Sequence, residues 1–221
     1  MAEPPTRSPS VTRGTATPER LLLGWSGGKD SALALHALRE AAVADPAAPR
    51  VEGLLTTVTA AYDRISMHGV RTALLDAQAR AVGLPVRVAR IPSPCTNDEY
   101  EGAMRAPLDA WRAEGGDGVA FGDLFLADVR AYRERQLAPC GLAARFPLWG
   151  RDTAALAREF VRLGFRATLV CVDPRRLDAS FAGRAYDDRL LDALPADVDP
   201  CGERGEFHTF VTDGPIFAGP V

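Results

Sequence analysis

The sequence predicts an open, mostly parallel α/β sheet with helices on both faces and a small C-terminal extension. Three observations carry this reading. From Arg20 onward, short apolar runs alternate with amphipathic stretches, the pattern of strands joined by crossover helices. The first apolar run opens into a glycine turn, Ser26-Gly27-Gly28-Lys29-Asp30-Ser31, that feeds the first amphipathic stretch. Prolines and glycines then cut the later runs to strand length, as Pro92 and Pro94 do. With 221 residues, 47% of them hydrophobic, the chain can bury a full core.

Residues 20–25 read as the first strand and 31–43 as the first helix, where Leu33, Leu35, Ala37 and Leu38 offer a core face. A second strand over 51–58 leads through a polar loop, 59–69, into a helix over 70–82 that stops at Gly83. The third strand, 85–91, ends at Pro92. Thr96 and Glu99 have capping-box spacing and start a helix to residue 114, which Pro107 is expected to kink or divide. Residues 118–121 form the fourth strand, followed by Gly122-Asp123 and a helix over 128–137. Asp152 can cap a helix that ends at Gly164, with Leu156, Phe160, Val161 and Leu163 as its apolar positions. A fifth strand over 165–172, a short helix near 187–194 and a closing strand over 206–217 complete the pattern. The expected organisation is a disordered leader over 1–18, rich in Pro, Ser, Thr and Arg, a main domain over 19–172, and an extension over 173–221.

Composition excludes several functions. Net charge is -3, and no basic arm or block marks a nucleic-acid footprint. Cys95, Cys140, Cys171 and Cys201 are far apart and form no Cys-x-x-Cys pair. They read as reduced structural thiols of a cytoplasmic protein, which argues against an iron-sulfur or persulfide enzyme. The leader lacks the apolar stretch of a secretory signal, and no apolar run is long enough to span a membrane.

Lys29 is the one lysine among 26 basic residues, and it sits in the glycine turn. An ammonium on a thin stem can enter a tight loop and meet a phosphate where a planar guanidinium cannot. Two glycines let the backbone approach an anion, and the amides at the helix start point at it. Asp30 can help hold Mg²⁺, while Ser26 and Ser31 can donate to oxygens. The turn is not a Walker loop, because Leu23 stands where its first glycine belongs and Asp30 follows the lysine. It points to a nucleotide.

A second polar constellation lies near the C-terminus, in Cys201-Gly202-Glu203-Arg204-Gly205-Glu206-Phe207-His208-Thr209-Phe210. If residues from Glu206 onward are extended, Glu206 and His208 share one face and Phe207 and Thr209 the other. Acid-base groups would then line a polar site. A salt-bridged turn entering an edge strand would use the same residues.

The strand, the Ser26–Ser31 turn and the helix together resemble the PP-loop ATP pyrophosphatases, which have a Rossmann-like sheet. Gly-Glu-x-Gly-Glu-Phe-His-Thr-Phe, with Asp213-Gly214-Pro215 after it, narrows the resemblance to the diphthine-ammonia ligase family. Ser66-Met67-His68-Gly69-Val70-Arg71, Phe121-Gly122-Asp123-Leu124-Phe125, Pro147-Leu148-Trp149 and Leu177-Asp178 with Gly183-Arg184 extend it over about 20–217. The resemblance implies that 19–172 is an ATP-binding domain in which Ser26, Gly27, Gly28, Lys29, Asp30 and Ser31 hold the pyrophosphate part of ATP. Thr56 and Thr57, at the end of the second strand, would meet adenine or are ordinary β-branched strand formers.

The implied reaction is an AMP-forming amidation, in which ATP activates a carboxylate and ammonia displaces AMP. Lys29, Glu203, Glu206 and His208 are the expected catalytic groups, with Asp30 expected to hold Mg²⁺. His68, Arg71, Asp123, Thr209 and Arg184 are the expected substrate contacts. The acceptor is diphthine on an elongation factor or a small carboxylic acid. A tRNA-modifying enzyme would need the basic surface this chain lacks, and a non-catalytic adenylate-binding module would leave the C-terminal constellation unexplained. A homo-oligomer is compatible with the sequence and not specified by it.

Overall fold

The computed structural model describes residues 17–66 and 69–221. The leader, apart from its last residues, and His68 lie outside the described residues. The chain forms β1 (Arg20–Gly24), α1 (Lys29–Ala44), β2 (Arg50–Thr59), β3 (Arg64–Ile65), α2 (Thr72–Val82), β4 (Val86–Ile91), α3 (Asn97–Ala113), β5 (Gly118–Ala120) and α4 (Ala127–Leu137). It continues with β6 (Ala143–Arg145), α5 (Thr153–Arg162), β7 (Arg166–Val172), α6 (Asp188–Ala193) and β8 (Phe207–Asp213). The main sheet runs β3-β2-β1-β5-β6, and β4 also pairs with β2. All its pairings are parallel except that of the short β3.

Alternation along β1 explains why the sheet is covered on both sides. Leu21 and Leu23 enter one core with Leu33, Leu35, Leu75, Leu156 and Phe160, whereas Leu22 enters the other with Met104, Leu108, Trp111 and Leu137. Thus α1, α2 and α5 pack on one face and α3 and α4 on the other. Such doubly covered strands are apolar throughout, which is why β1 reads as an unbroken Leu run.

Several expectations are corrected. The strand expected over 165–172 exists as β7, but it lies outside the parallel sheet and pairs antiparallel with β8 in a two-stranded sheet. Its β-branched residues announce a strand without naming a partner. The strand β6, Ala-Ala-Arg, carries no such signal and owes its conformation to hydrogen bonds from β5. Pro107 does not divide α3, which runs continuously from its capping box on Thr96 and Glu99 to Ala113. The buried face of Met104, Leu108 and Trp111 holds the helix through the missing donor. The closing strand ends at Asp213.

Candidate active site

The Ser26–Ser31 turn lies at the carboxyl end of β1, where ligands gather in open parallel sheets. Gly27 adopts φ +77°, and a Cβ there would stand 2.7 Å from Gln78 Oε1. Only glycine meets both demands. Across the turn, a Cβ on Gly122 would come within 2.8 Å of the Asp30 backbone, so the loop after β5 presses directly on the start of α1. The hydroxyl of Ser31 donates to the Gly28 carbonyl at 2.9 Å, and the Ser26 hydroxyl accepts from the Gly28 amide at 3.2 Å.

The C-terminal strand docks onto this turn. The Lys29 amide donates to Thr209 Oγ1 at 3.0 Å, and the Val211 amide donates to the Gly27 carbonyl at 2.9 Å. Gln78, on α2, completes the brace. It accepts from Trp25 Nε1 at 2.9 Å and donates to the carbonyls of Gly27, at 3.0 Å, and Val211, at 2.6 Å. Sequence reasoning missed Gln78, yet the signal exists: it lies on the face of α2 shared by Leu75, Ala79 and Val82, and is fully buried.

Lys29 itself is only 3% exposed. Its ammonium bonds Asp30 Oδ2 at 2.9 Å and the Cys201 carbonyl, and lies 5.9 Å from the Tyr186 ring and 5.5 Å from the Phe207 ring. Burial by itself lowers its pKa, but Asp30 and the neighbouring acidic groups outweigh that and hold it above the ordinary value. Lys29 is therefore charged and fixed. The segment carrying Cys201 forms a roof over it, anchored by the Tyr186 hydroxyl on the Pro200 carbonyl at 2.7 Å. The Cys201 thiol is buried and pushed up to about 12, so it stays neutral.

Three carboxylates share this neighbourhood. Glu203 Oε1 accepts from the Leu124 amide at 2.8 Å. Burial, with Asp30 and Asp123 nearby, pushes Glu203 up to about 7, although the Leu124 amide and Lys29 pull the other way. Asp123 is raised by burial and by Asp30 despite Arg133, whose Nε stands 3.6 Å away. Among the described residues, neither Asp30 Oδ1 nor Asp123 Oδ2, both buried, has a hydrogen-bond partner. His208, on β8, is shifted down by burial and by Lys29, which favours its neutral form.

The remaining expected residues divide. Glu206, 1% exposed, spends its carboxylate on the amides of Asp199, at 3.3 Å, and Arg204, at 3.0 Å, and so shapes the 199–206 loop. Thr56 is buried and Thr57 half-buried at the end of β2. Arg71 is exposed at the start of α2, and Arg184 stacks 4.4 Å over Phe181. Neither arginine has a bond to the glycine turn among the described residues.

Two family models match the chain. The diphthamide synthase N-terminal domain matches residues 20–142, the half with the glycine turn, and the diphthamide synthase C-terminal domain matches residues 152–220, the half with the roof and β8. The chain belongs to the diphthamide synthase family. Diphthine-ammonia ligase of Danio rerio is 28% identical over 212 residues, covering 87% of this chain and 81% of that protein. Diphthine-ammonia ligase of Rattus norvegicus is 25% identical over 171 residues, covering 71% of this chain and 62% of the relative. As a diphthamide synthase family member, the chain is an ATP-dependent carbon-nitrogen ligase. No helix among the described residues is long and apolar enough to cross a membrane.

Proposed function

We propose that this protein adenylates a carboxylate at the Ser26–Ser31 turn and transfers ammonia to the activated acyl group, with AMP and pyrophosphate as by-products. The observation that carries the reading is the seating of Lys29, a buried ammonium at the start of α1, under a roof that brings Glu203 to the same place. An acceptor carboxylate oxygen attacks the α-phosphorus of ATP and pyrophosphate leaves. Lys29 offsets the charge on that leaving group. Ammonia then attacks the acyl carbon, the bond to AMP breaks, and the nitrogen loses a proton. Glu203, with a pKa near neutrality, is suited to take it.

Mg²⁺ fits the residues present. Asp30 Oδ1, which has no hydrogen-bond partner among the described residues, and the Asp123 carboxylate, whose Oδ2 faces Arg133 at 3.6 Å, supply oxygens, and this ion is commonly held by one or two carboxylates together with phosphate oxygens. No group of three His, Cys, Asp or Glu residues among the described residues forms a full protein cage. When bound, the ion would neutralise phosphate charge. Thr209 and His208 belong to the same proposal, Thr209 as the acceptor that orients the Lys29 amide and His208 as a neutral base beside it.

The acceptor is diphthine on an elongation factor, as the relatives' names suggest, or a small carboxylic acid. A pyrophosphate-release assay with ammonia and a panel of carboxylates tests the chemistry. With ¹⁸O-labelled carboxylate, one label should appear in AMP. Release of ADP instead, or no turnover with any acid, would sink the reading.

A further inference from the structure

We infer that Tyr186 is a positioning residue for the nucleotide. Its hydroxyl latches the 199–206 roof onto Lys29, and the Cys201 carbonyl must leave that ammonium before the pyrophosphate part of ATP can take its place. The inference rests on the ligase reading above, which brings pyrophosphate to Lys29, and adds the step that admits it.

Lys29 is 3% exposed, and its ammonium already donates to Asp30 Oδ2 and the Cys201 carbonyl. Asp30 is its neighbour in the chain, and the rings of Tyr186 and Phe207, 5.9 and 5.5 Å away, stand on two further sides. The partner that can give way is the roof. A carbonyl oxygen and a phosphate oxygen are both acceptors and compete for the same N–H. The roof is braced from within and so moves as one piece. The Asp199 carboxylate accepts from the Cys201 amide at 2.7 Å, the Asp199 carbonyl accepts from the Gly202 amide at 2.8 Å, and Glu206 holds the Asp199 and Arg204 amides. Its hydrogen bonds to other parts of the protein are fewer. Besides Lys29, the described residues supply the Tyr186 hydroxyl on Pro200, the Thr153 carbonyl for the Cys201 thiol, the Leu124 amide for Glu203 and the Asp173 amide on the Glu206 carbonyl. The thiol is a weak donor, and Leu124 and Asp173 hold the far end of the segment. Tyr186 alone grips, at 2.7 Å, the residue that precedes Cys201. Its ring is 2% exposed and packs edge-on against Phe160 at 5.4 Å, so the core fixes the hydroxyl that serves as the latch.

A roof that excludes phosphate while shut lowers the apparent affinity for ATP by the fraction of molecules that are open. Weakening the latch should therefore tighten ATP binding, the reverse of what a merely structural hydrogen bond would do. Because Lys29 is the one lysine of the chain, an amine-acetylating ester followed by peptide mass spectrometry reports the opening directly. In the full chain, Lys29 should react far more slowly than in the chain unfolded in denaturant. Tyr186→Phe keeps the ring and its packing and removes only the hydroxyl. It should speed acetylation about three- to tenfold, the usual net worth of one hydrogen bond, and calorimetry should show α,β-methylene-ATP with Mg²⁺ binding tighter by the same factor. Leu108→Ala, in the opposite core, lowers global stability without touching the roof. Its Lys29 should react at the wild-type rate although its melting temperature falls. Wild-type Lys29 that reacts as fast as in the unfolded chain overturns the inference. So does Tyr186→Phe with unchanged labelling or with unchanged or weaker nucleotide binding, and so does Leu108→Ala labelling as fast as Tyr186→Phe. Pyrophosphate release is scored separately, so that a latch behaving as expected without any turnover would defeat the ligase reading and leave the role of Tyr186 standing.

Discussion

Lys29 shows how a single side chain can be both the charge and the keystone of a site. Its ammonium meets Asp30, the Cys201 carbonyl and two aromatic rings in a space that is 3% exposed. A guanidinium keeps the charge but not the shape. Lys29→Arg should therefore lower the rate of pyrophosphate release by about 10²-fold or more, a typical loss when a preorganised charge stabiliser is displaced. Glu203 gives the pH dependence. Burial raises its pKa to about 7, so turnover should rise with pH through neutrality as the carboxylate becomes able to accept a proton. For stability the sign is opposite. A carboxyl raised above its unfolded value favours the fold at low pH and loses that contribution as pH rises through about 7. Glu203→Gln should thus melt higher than wild type at about pH 8, by roughly 1 kcal/mol after allowance for solvent screening, and match it near pH 4. A melting curve at the two pH values decides this.

Among the elements, α2 and β8 matter more to the site than their sequences suggest. Gln78 links the end of β1, the glycine turn and β8 through three hydrogen bonds in a fully buried position. Gln78→Ala would strand the Trp25 indole, remove a donor from the Val211 carbonyl and leave the Gly27 carbonyl with the Val211 amide alone. The expected cost is about 2–4 kcal/mol in denaturant unfolding, with weakened ATP binding as the turn loosens. By contrast, the Thr96 cap of α3 is exposed and local. Thr96→Ala should cost about 1 kcal/mol and leave turnover intact. The cap was legible because capping depends on residues three apart in the chain. The pairing of β7 with β8 was not, because strand partners forty residues apart leave no local trace.

At the scale of the molecule, the two regions matched by family models share one core. Leu21, Leu33 and Leu35 from the first pack in the same cluster as Leu156, Phe160, Phe207 and Val211 from the second. Residues 17–150 expressed alone would expose that cluster and lose the strand that seats Lys29. We expect a broad, non-cooperative unfolding transition for this fragment and no ATP binding, against a single sharp transition for the whole chain. An independently folding fragment that binds ATP would show the C-terminal segment to be an appendage.

By itself the sequence determined what depends on local order: the β1-turn-α1 unit around Lys29, the helices with their caps, and the polar motif from Glu203 to Thr209. Apolar period, glycine placement and cap spacing act over a few residues and can be read without coordinates. Only the tertiary structure decided how those pieces meet. It laid β8 along the glycine turn, put the Cys201 carbonyl on Lys29, turned Glu206 inward to brace a loop and left Arg204 facing outward. The physical reason is that each of these contacts joins groups that are distant in the chain or lie on opposite sides of one loop. Their partners are chosen by the packing of the shared core, which no short stretch of sequence contains.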